Sequence, residues 1–164
     1  MAESVSIRLA AVDDAEGVVR ANEESWNASM AGLIDKKLED LAPFDARVAR
    51  TRAGLEDPPP GLCVWVAERD GRIVGHATVS VEGEAGELRG LYLVPDEWGG
   101  VVARALHDQA LVSMRDLGAT EAALWVVERN ARARRFYERE GWEADGATKS
   151  EVFDITEARY RRTL

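Results

Sequence analysis

Tyr137 carries the group of this chain best suited to proton chemistry, a phenol whose ionisable hydroxyl gives or accepts a hydrogen bond. It stands in the segment NARARRFYEREGW, from Asn130 to Trp142. Ala133, Phe136, Tyr137 and Glu140 recur there at three- and four-residue spacing, which gathers them on one side of a helix. Asn130 can accept from the free N–H groups that open such a helix, and Gly141 supplies the left-handed residue that ends it. The other reactive side chains are few. His76 and His107 are the two histidines and Cys63 the one cysteine, so an intramolecular disulfide is excluded. Cys63 lies in the apolar run Leu62-Cys-Val-Trp-Val-Ala67, where a free thiol serves more often as a small hydrophobe than as a nucleophile. No set of Cys, His and carboxylate residues has metal-ligand spacing, and no metal is expected.

Periodicity and turn chemistry give the elements that must position Tyr137. Residues 6–10 alternate and predict an opening strand. Asp13-Asp14 starts a helical stretch to about residue 27. A loop is expected over 29–34, then a second helix over 36–41 that resumes after Pro43 over 45–55. Pro58-Pro-Pro-Gly61 marks a turn into a sheet. Asp70-Gly71, between the apolar runs 62–68 and 72–81, is a hairpin signal. A third strand of this meander is expected over 87–94, ended by Pro95. A long helix over 99–117 carries Val102, Leu106, Ala110 and Met114 along its buried stripe, and Gly118 stops it. A buried-type strand over 122–127, the Asn130 helix and a closing pair of strands over 142–148 and 152–162 complete the chain. The order β-α-α-β-β-β-α-β-α-β-β predicts an α+β fold, a mixed sheet covered by helices. One domain spanning 1–164 accommodates it.

The chain has 30 acidic and 21 basic side chains, net -9. That balance argues against a nucleic-acid surface, which needs a basic stripe. It suits a cationic acceptor such as an amine, and equally suits plain solubility. No apolar run approaches membrane-span length, and no basic n-region with an apolar stretch opens the chain. No membrane partner and a cytoplasmic location are therefore expected.

The segment N-x-x-A-x-x-F-Y-E-x-x-G-W resembles the last signature segment of the GNAT superfamily, the acetyl-CoA-dependent N-acetyltransferases. The element order resembles that family over nearly the whole chain. The resemblance implies the GNAT fold, a mostly antiparallel sheet flanked by helices, with acetyl-CoA as co-substrate and an amine as acceptor. It makes Asn130 a cofactor contact and Tyr137 the general acid for the departing thiolate. It places the pantetheine and thioester carbonyl on Leu91, Tyr92 and Leu93. It places the pyrophosphate on the turn Gly99, Gly100, Val101, Val102, Ala103 and Arg104, where a strand–loop–helix junction offers unpaired N–H groups and a positive dipole end.

This turn departs from the family pattern. Gly100 stands where arginine is usual and Val101 where glycine is typical, while Asp96 and Glu97 add negative charge. A β-branched residue resists positive φ and adds bulk beside a phosphate. A lost charged hydrogen bond is about 1.5–3 kcal/mol, roughly ten- to hundredfold in affinity, so weakened acetyl-CoA binding is expected. For the general base, Glu87 is the choice, at the start of the central strand where family members place a glutamate. Alternation puts it on one face with Arg89, Leu91 and Leu93. His76 is the runner-up, by its intrinsic pKa.

The expected function is transfer of acetyl to a primary amine of a small molecule or peptide, by direct attack in a ternary complex. The alternative is a catalytically weak or inactive GNAT-fold binding protein with a degenerate pyrophosphate loop. A homodimer through exposed closing strands is a further expectation.

Overall fold

The computed structural model describes residues 4–164. The elements run β1 (Val5–Leu9), α1 (Ala15–Met30), α2 (Phe44–Glu56), β2 (Leu62–Arg69), β3 (Arg72–Glu82), β4 (Ala85–Leu93), α3 (Val101–Asp116), β5 (Glu121–Val127), α4 (Ala131–Arg139), β6 (Glu143–Lys149) and β7 (Glu157–Thr163). The strands form one sheet in the order β1-β2-β3-β4-β5-β7-β6. Every neighbouring pair is antiparallel except β4 and β5, which are parallel.

Local chemistry accounts for the hairpin. Arg69 pairs with Arg72 across the two-residue loop Asp70-Gly71, and both loop residues have positive φ, 51° and 78°. Those angles give a turn whose twist matches that of the flanking strands. Helix α1 packs on β3 and β4, and α3 packs on β2, β3 and β4 from the other face. The predicted stripe of α3 is buried, with Leu106, Ala110 and Met114 fully enclosed. Gly75 lets α3 and β4 close on β3. A Cβ there would sit 2.4 Å from Leu93 Cδ1 and 2.9 Å from the Tyr92 carbonyl oxygen.

Four boundaries differ from the sequence expectation. Helix α1 continues to Met30, through the start of the expected loop. The expected helix over 36–41 is a single 3₁₀ turn, Leu38–Asp40. Asp40 accepts from the Lys37 N–H and Asn27 from the Leu38 N–H, which caps the start of this turn. Helix α3 starts at Val101 rather than residue 99. The last strand begins at Glu157, because Phe153 and Asp154 adopt positive φ, 50° and 56°, and cannot extend a ladder.

His76 lies in β3 with 5% of its surface exposed, and neither ring nitrogen has a hydrogen-bond partner. Its ring packs on Tyr92 at 5.2 Å. Burial lowers its pKa from 6.5 to about 4. The proton therefore prefers the unfolded chain, so stability is full above pH 6.5 and falls as pH drops toward 4. Between pH 7 and pH 5 this one group should remove about 2 kcal/mol. Urea unfolding of wild type and His76→Leu at both pH values measures it. The variant should lose less stability by that amount, and equal losses would show that His76 does not carry the effect.

Candidate active site

The site begins with a fault in β4. Thr78 pairs with Gly90 and Val79 with Leu88, which leaves Arg89 as a bulge. The burial record shows the consequence: Gly86 and Leu88 are buried before the bulge and Leu93 after it. The extra residue inverts the alternation. Glu87 therefore does not share a face with Leu91 and Leu93, which corrects the period-two expectation. Beyond the bulge the strand also leaves β5. The parallel ladder ends at Leu88 with Leu124, and Arg89 to Leu93 have no partner on β5.

The freed strand edge has a definite direction. Val94 N–H donates to the Val74 carbonyl at 2.9 Å, so the even residues of this stretch face β3. By the alternation of antiparallel pairs, the N–H and C=O groups of Leu91 and Leu93 point into the gap. Trp98 Nε1 donates to the Leu93 carbonyl there at 2.8 Å.

The β4–α3 turn supplies the second part. Gly99 holds the positive φ, 69°, while Gly100 is an extended N-cap with no capping side chain. The N–H groups of Val101, Val102 and Ala103 therefore open the helix without partners inside it. Val101 is helical and 84% exposed. It needs no positive φ and turns its bulk to solvent, which removes the steric objection raised from sequence. Glu97 is bound by Arg69 at 2.8 Å, so its charge is compensated. Asp96 is exposed.

A cavity fills the gap, and several expected residues line it together: Leu91, Tyr92, Leu93, Gly99, Ala103, Asn130 and Tyr137. Asn130 caps α4 as expected, its Oδ1 accepting from Ala133 N–H at 3.2 Å. Tyr137 is 8% exposed and its ring meets Phe136 edge-on at 5.5 Å. Burial, with a smaller effect from Tyr92, raises the pKa of its hydroxyl, and Arg132 opposes the rise. Gly100, Val101, Val102 and Arg104 lie outside the lining. Val102 is buried in the core, and Arg104 faces Glu140 at 3.8 Å. Glu87 is not among the cavity's lining residues and borders a neighbouring groove with Pro59, Leu62 and Arg159. Five residues of strand, roughly 15 Å, separate it from Tyr92.

Two lining residues, Arg132 and Glu157, escaped the sequence reading. Arg132 of α4 stacks on Trp98 at 3.6 Å and donates to Ser29 of α1 at 3.2 Å, tying the turn to two helices. Trp26 enters from α1 and packs on Phe153 at 5.9 Å. Glu157, the first residue of β7, is the one carboxylate among the lining residues. Its pKa is raised, chiefly by burial. Arg132 and Phe136 stand four residues apart on one helix, but nothing local marks Glu157.

The Acetyltransferase (GNAT) family profile matches residues 21–142 of this chain. The chain belongs to the GNAT acetyltransferase family. An uncharacterized N-acetyltransferase of Mycobacterium bovis is 36% identical over 111 residues, covering 66% of this chain and 70% of that protein. A spermidine N(1)-acetyltransferase of Thermoplasma acidophilum is 22% identical over 165 residues, 96% of this chain and 98% of that one. Among solved structures, the PaiA N-acetyltransferase of Thermoplasma acidophilum in complex with coenzyme A superposes with a TM-score of 0.76. It is 18% identical and covers 98% of this chain and 99% of its own. The GNAT fold expected from sequence is thus the observed one, and the chain is an acetyltransferase.

The chemistry around the cavity suits a coenzyme A thioester. An uncapped helix end faces the diphosphate's chemistry, and an unpaired strand edge can take up the amide groups of the pantetheine arm. Among the described residues one further group has metal-ligand reach: His107, Asp108 and Glu140, whose ligand atoms lie within 4.8 Å of one another. Trp142 Nε1 donates to His107 Nε2 at 3.0 Å, and indole only donates. The proton of neutral His107 is therefore on Nδ1, directed at Asp108 Oδ1 3.2 Å away. Binding a cation at Nδ1 would require that proton to leave.

The revised turn separates the two departures. At Gly100, φ is -96° and an added Cβ meets only the Glu97 carbonyl oxygen, at 3.5 Å. Gly100→Arg should therefore tighten coenzyme A by roughly tenfold, and Val101→Gly should leave affinity within about twofold. Isothermal titration reads both. A tightening by Val101→Gly instead would restore the steric account.

Proposed function

We propose that this enzyme moves acetyl from acetyl-CoA to a primary amine of a small molecule or peptide, by direct attack in a ternary complex. The single observation that carries the reading is the cavity in the β4–β5 gap. Its walls join the turn before α3, the free edge of β4, Tyr137 and the α1 side chains Trp26 and Met30. One slot can thus receive a thioester and an acceptor at the same time. The spermidine acetyltransferase among the relatives and the net charge of -9 both support a cationic acceptor.

Acetyl-CoA supplies the activated acyl group. The chain must then meet three demands: a base for the ammonium proton, a donor for the charge that grows on the carbonyl oxygen, and a partner for the departing sulfur. The Leu93 N–H, pointing into the gap, serves the second. Tyr137 serves the third. An ordinary phenol is about 1.5 pKa units weaker as an acid than a thiol, and burial weakens Tyr137 further. Full proton transfer to the sulfur therefore runs uphill. Tyr137 acts by donating a hydrogen bond to the leaving sulfur as its charge develops, with Arg132 easing the transfer.

A hydrogen bond to a charged group is worth about 1.5–3 kcal/mol. Tyr137→Phe should lower kcat for thiol release with a primary amine by roughly ten- to hundredfold, with coenzyme A affinity little changed. Wild-type kcat in this variant would remove Tyr137 from the reaction.

A further inference from the structure

Resting on the transfer reaction just proposed, we infer that Glu157 is the general base, and that the acceptor is a cationic primary amine held between Glu157, Trp26 and Trp125. Glu157 opens β7 and pairs with Val127 of β5 on one side and Lys149 of β6 on the other. Cross-strand partners share a face, so Glu157 and Val127 look the same way, with Trp125 two residues along the strand. That is the wall Trp26 faces from α1, and all four residues line the cavity.

The rival bases are poorly placed. Glu87 lies before the bulge and does not line the cavity; it borders a neighbouring groove that shares Arg89 and Trp125 with it. His76 is sealed in the sheet, does not line the cavity, and has a pKa of about 4 that leaves it a weak proton acceptor at neutral pH. Glu157 keeps a quarter of its side chain exposed, and its charge reaches Tyr92, whose pKa it helps to raise. Tyr92 in turn acts on Tyr137. The base, the intervening phenol and the sulfur partner thus all border the one cavity.

The groups that bear on Glu157 are Lys149 of β6, 3.9 Å from its carboxylate, Glu151 just beyond, and Tyr92 of β4. Arg89, Arg132 and Tyr137 stand on the other walls. Lys149 is a divided partner: it lies 3.2 Å from Glu151 and its ammonium sits 4.6 Å from the Trp125 ring centre. Arg159 also lies 5.7 Å from that ring centre. A substrate ammonium beside Glu157 would therefore take the place of Lys149 there or use the Trp26 ring, with the same two kinds of attraction, a carboxylate and a π surface.

The chemistry balances without another reactant. The ammonium nitrogen loses two protons as its C–N bond to the acetyl carbon forms and the C–S bond breaks. One proton ends on the thiol sulfur by way of solvent, while Tyr137 holds the sulfur by its hydrogen bond. The other is taken by the Glu157 carboxylate and passed to water at the cavity mouth.

The test compares Glu157→Gln, Glu87→Gln and wild type with saturating acetyl-CoA and butylamine. Wild-type kcat should fall on the acid side, because the base must be ionised to act. Glu157→Gln should abolish that limb and lower kcat by roughly a hundredfold or more, with coenzyme A affinity and melting temperature kept. Glu87→Gln should match wild type. An unchanged acid limb in Glu157→Gln, or its loss in Glu87→Gln, overturns the assignment. A second measurement does not need turnover. Carbon NMR of the Glu157 carboxyl in coenzyme A-saturated protein should show its pKa falling when butylamine is added, since a bound ammonium favours the carboxylate. A pKa indifferent to the amine overturns the proposal even if no acetylation occurs, and absent acetylation with a responsive pKa overturns only the transfer reaction.

Discussion

The parallel ladder between β4 and β5 runs only from Ala85 with Glu121 to Leu88 with Leu124, and the rest of the site depends on that short length. A continuous ladder would satisfy the backbone groups of Leu91 and Leu93 within the sheet and leave no room between the strands. The bulge at Arg89 ends it by putting two residues where one fits, bending the strand and reversing which side chains face α3. Leu93 then packs against Gly75 and α3 while its backbone edge faces a gap instead of a neighbour. Trp98 takes the orphaned Leu93 carbonyl and Arg132 covers the Trp98 ring, so the open edge is held without being closed.

Much of this was legible because its causes are local. The cap at Asn130, the stop at Gly141, the Asp70-Gly71 hairpin and the stripe of α3 each follow from a few neighbouring residues. The structure realises all four. The bulge left no such mark: Glu87 to Val94 alternates well enough on paper to place Glu87 beside Leu91. The error is one residue of register, and one residue exchanges the two faces of a strand. Glu157 was hidden for a different reason. Its place beside Trp125 depends on β7 pairing with β5 across residues 128–156, and no short pattern encodes such a pairing. Arg132 was visible as a charge on a helix rich in arginine, but stacking on Trp98 is a property of two elements meeting.

The charge arrangement around the cofactor turn also changes with the fold. On sequence alone Asp96 and Glu97 oppose a diphosphate and Gly100 fails to compensate. In the structure Arg69 comes from the hairpin of β2 to bind Glu97. The cavity also gathers Arg89, Arg132 and Arg139 against a single carboxylate. An acidic protein can in this way keep a locally cationic slot, because net charge describes the whole surface while a cleft responds to the groups that line it. The loss of one arginine from the turn is then a weakening of one contact.

The two halves of the slot must also keep their distance from each other, and buried His107 explains how. It belongs to α3, whose first turn would meet the diphosphate, yet its Nε2 accepts from Trp142, just past α4, and its ring meets Phe136 edge-on at 5.6 Å. Phe136 and Trp142 both touch Tyr137 in turn. Burial lowers the pKa of His107, against the pull of Asp108 and Glu140, so the neutral tautomer that accepts from the indole is the one favoured at neutral pH. Glu140 adds a second tie, with its side chain toward Arg104 of α3 and its carbonyl bound by Arg162 of β7. A shift of α3 relative to α4 would have to break a buried hydrogen bond and leave an indole N–H unpaired, at a cost of about 1–3 kcal/mol. The helix end that would hold the diphosphate and the phenol proposed to meet the sulfur are thereby tied together. The β4 edge, attached to the other side of the gap, is the element that sets the width of the slot.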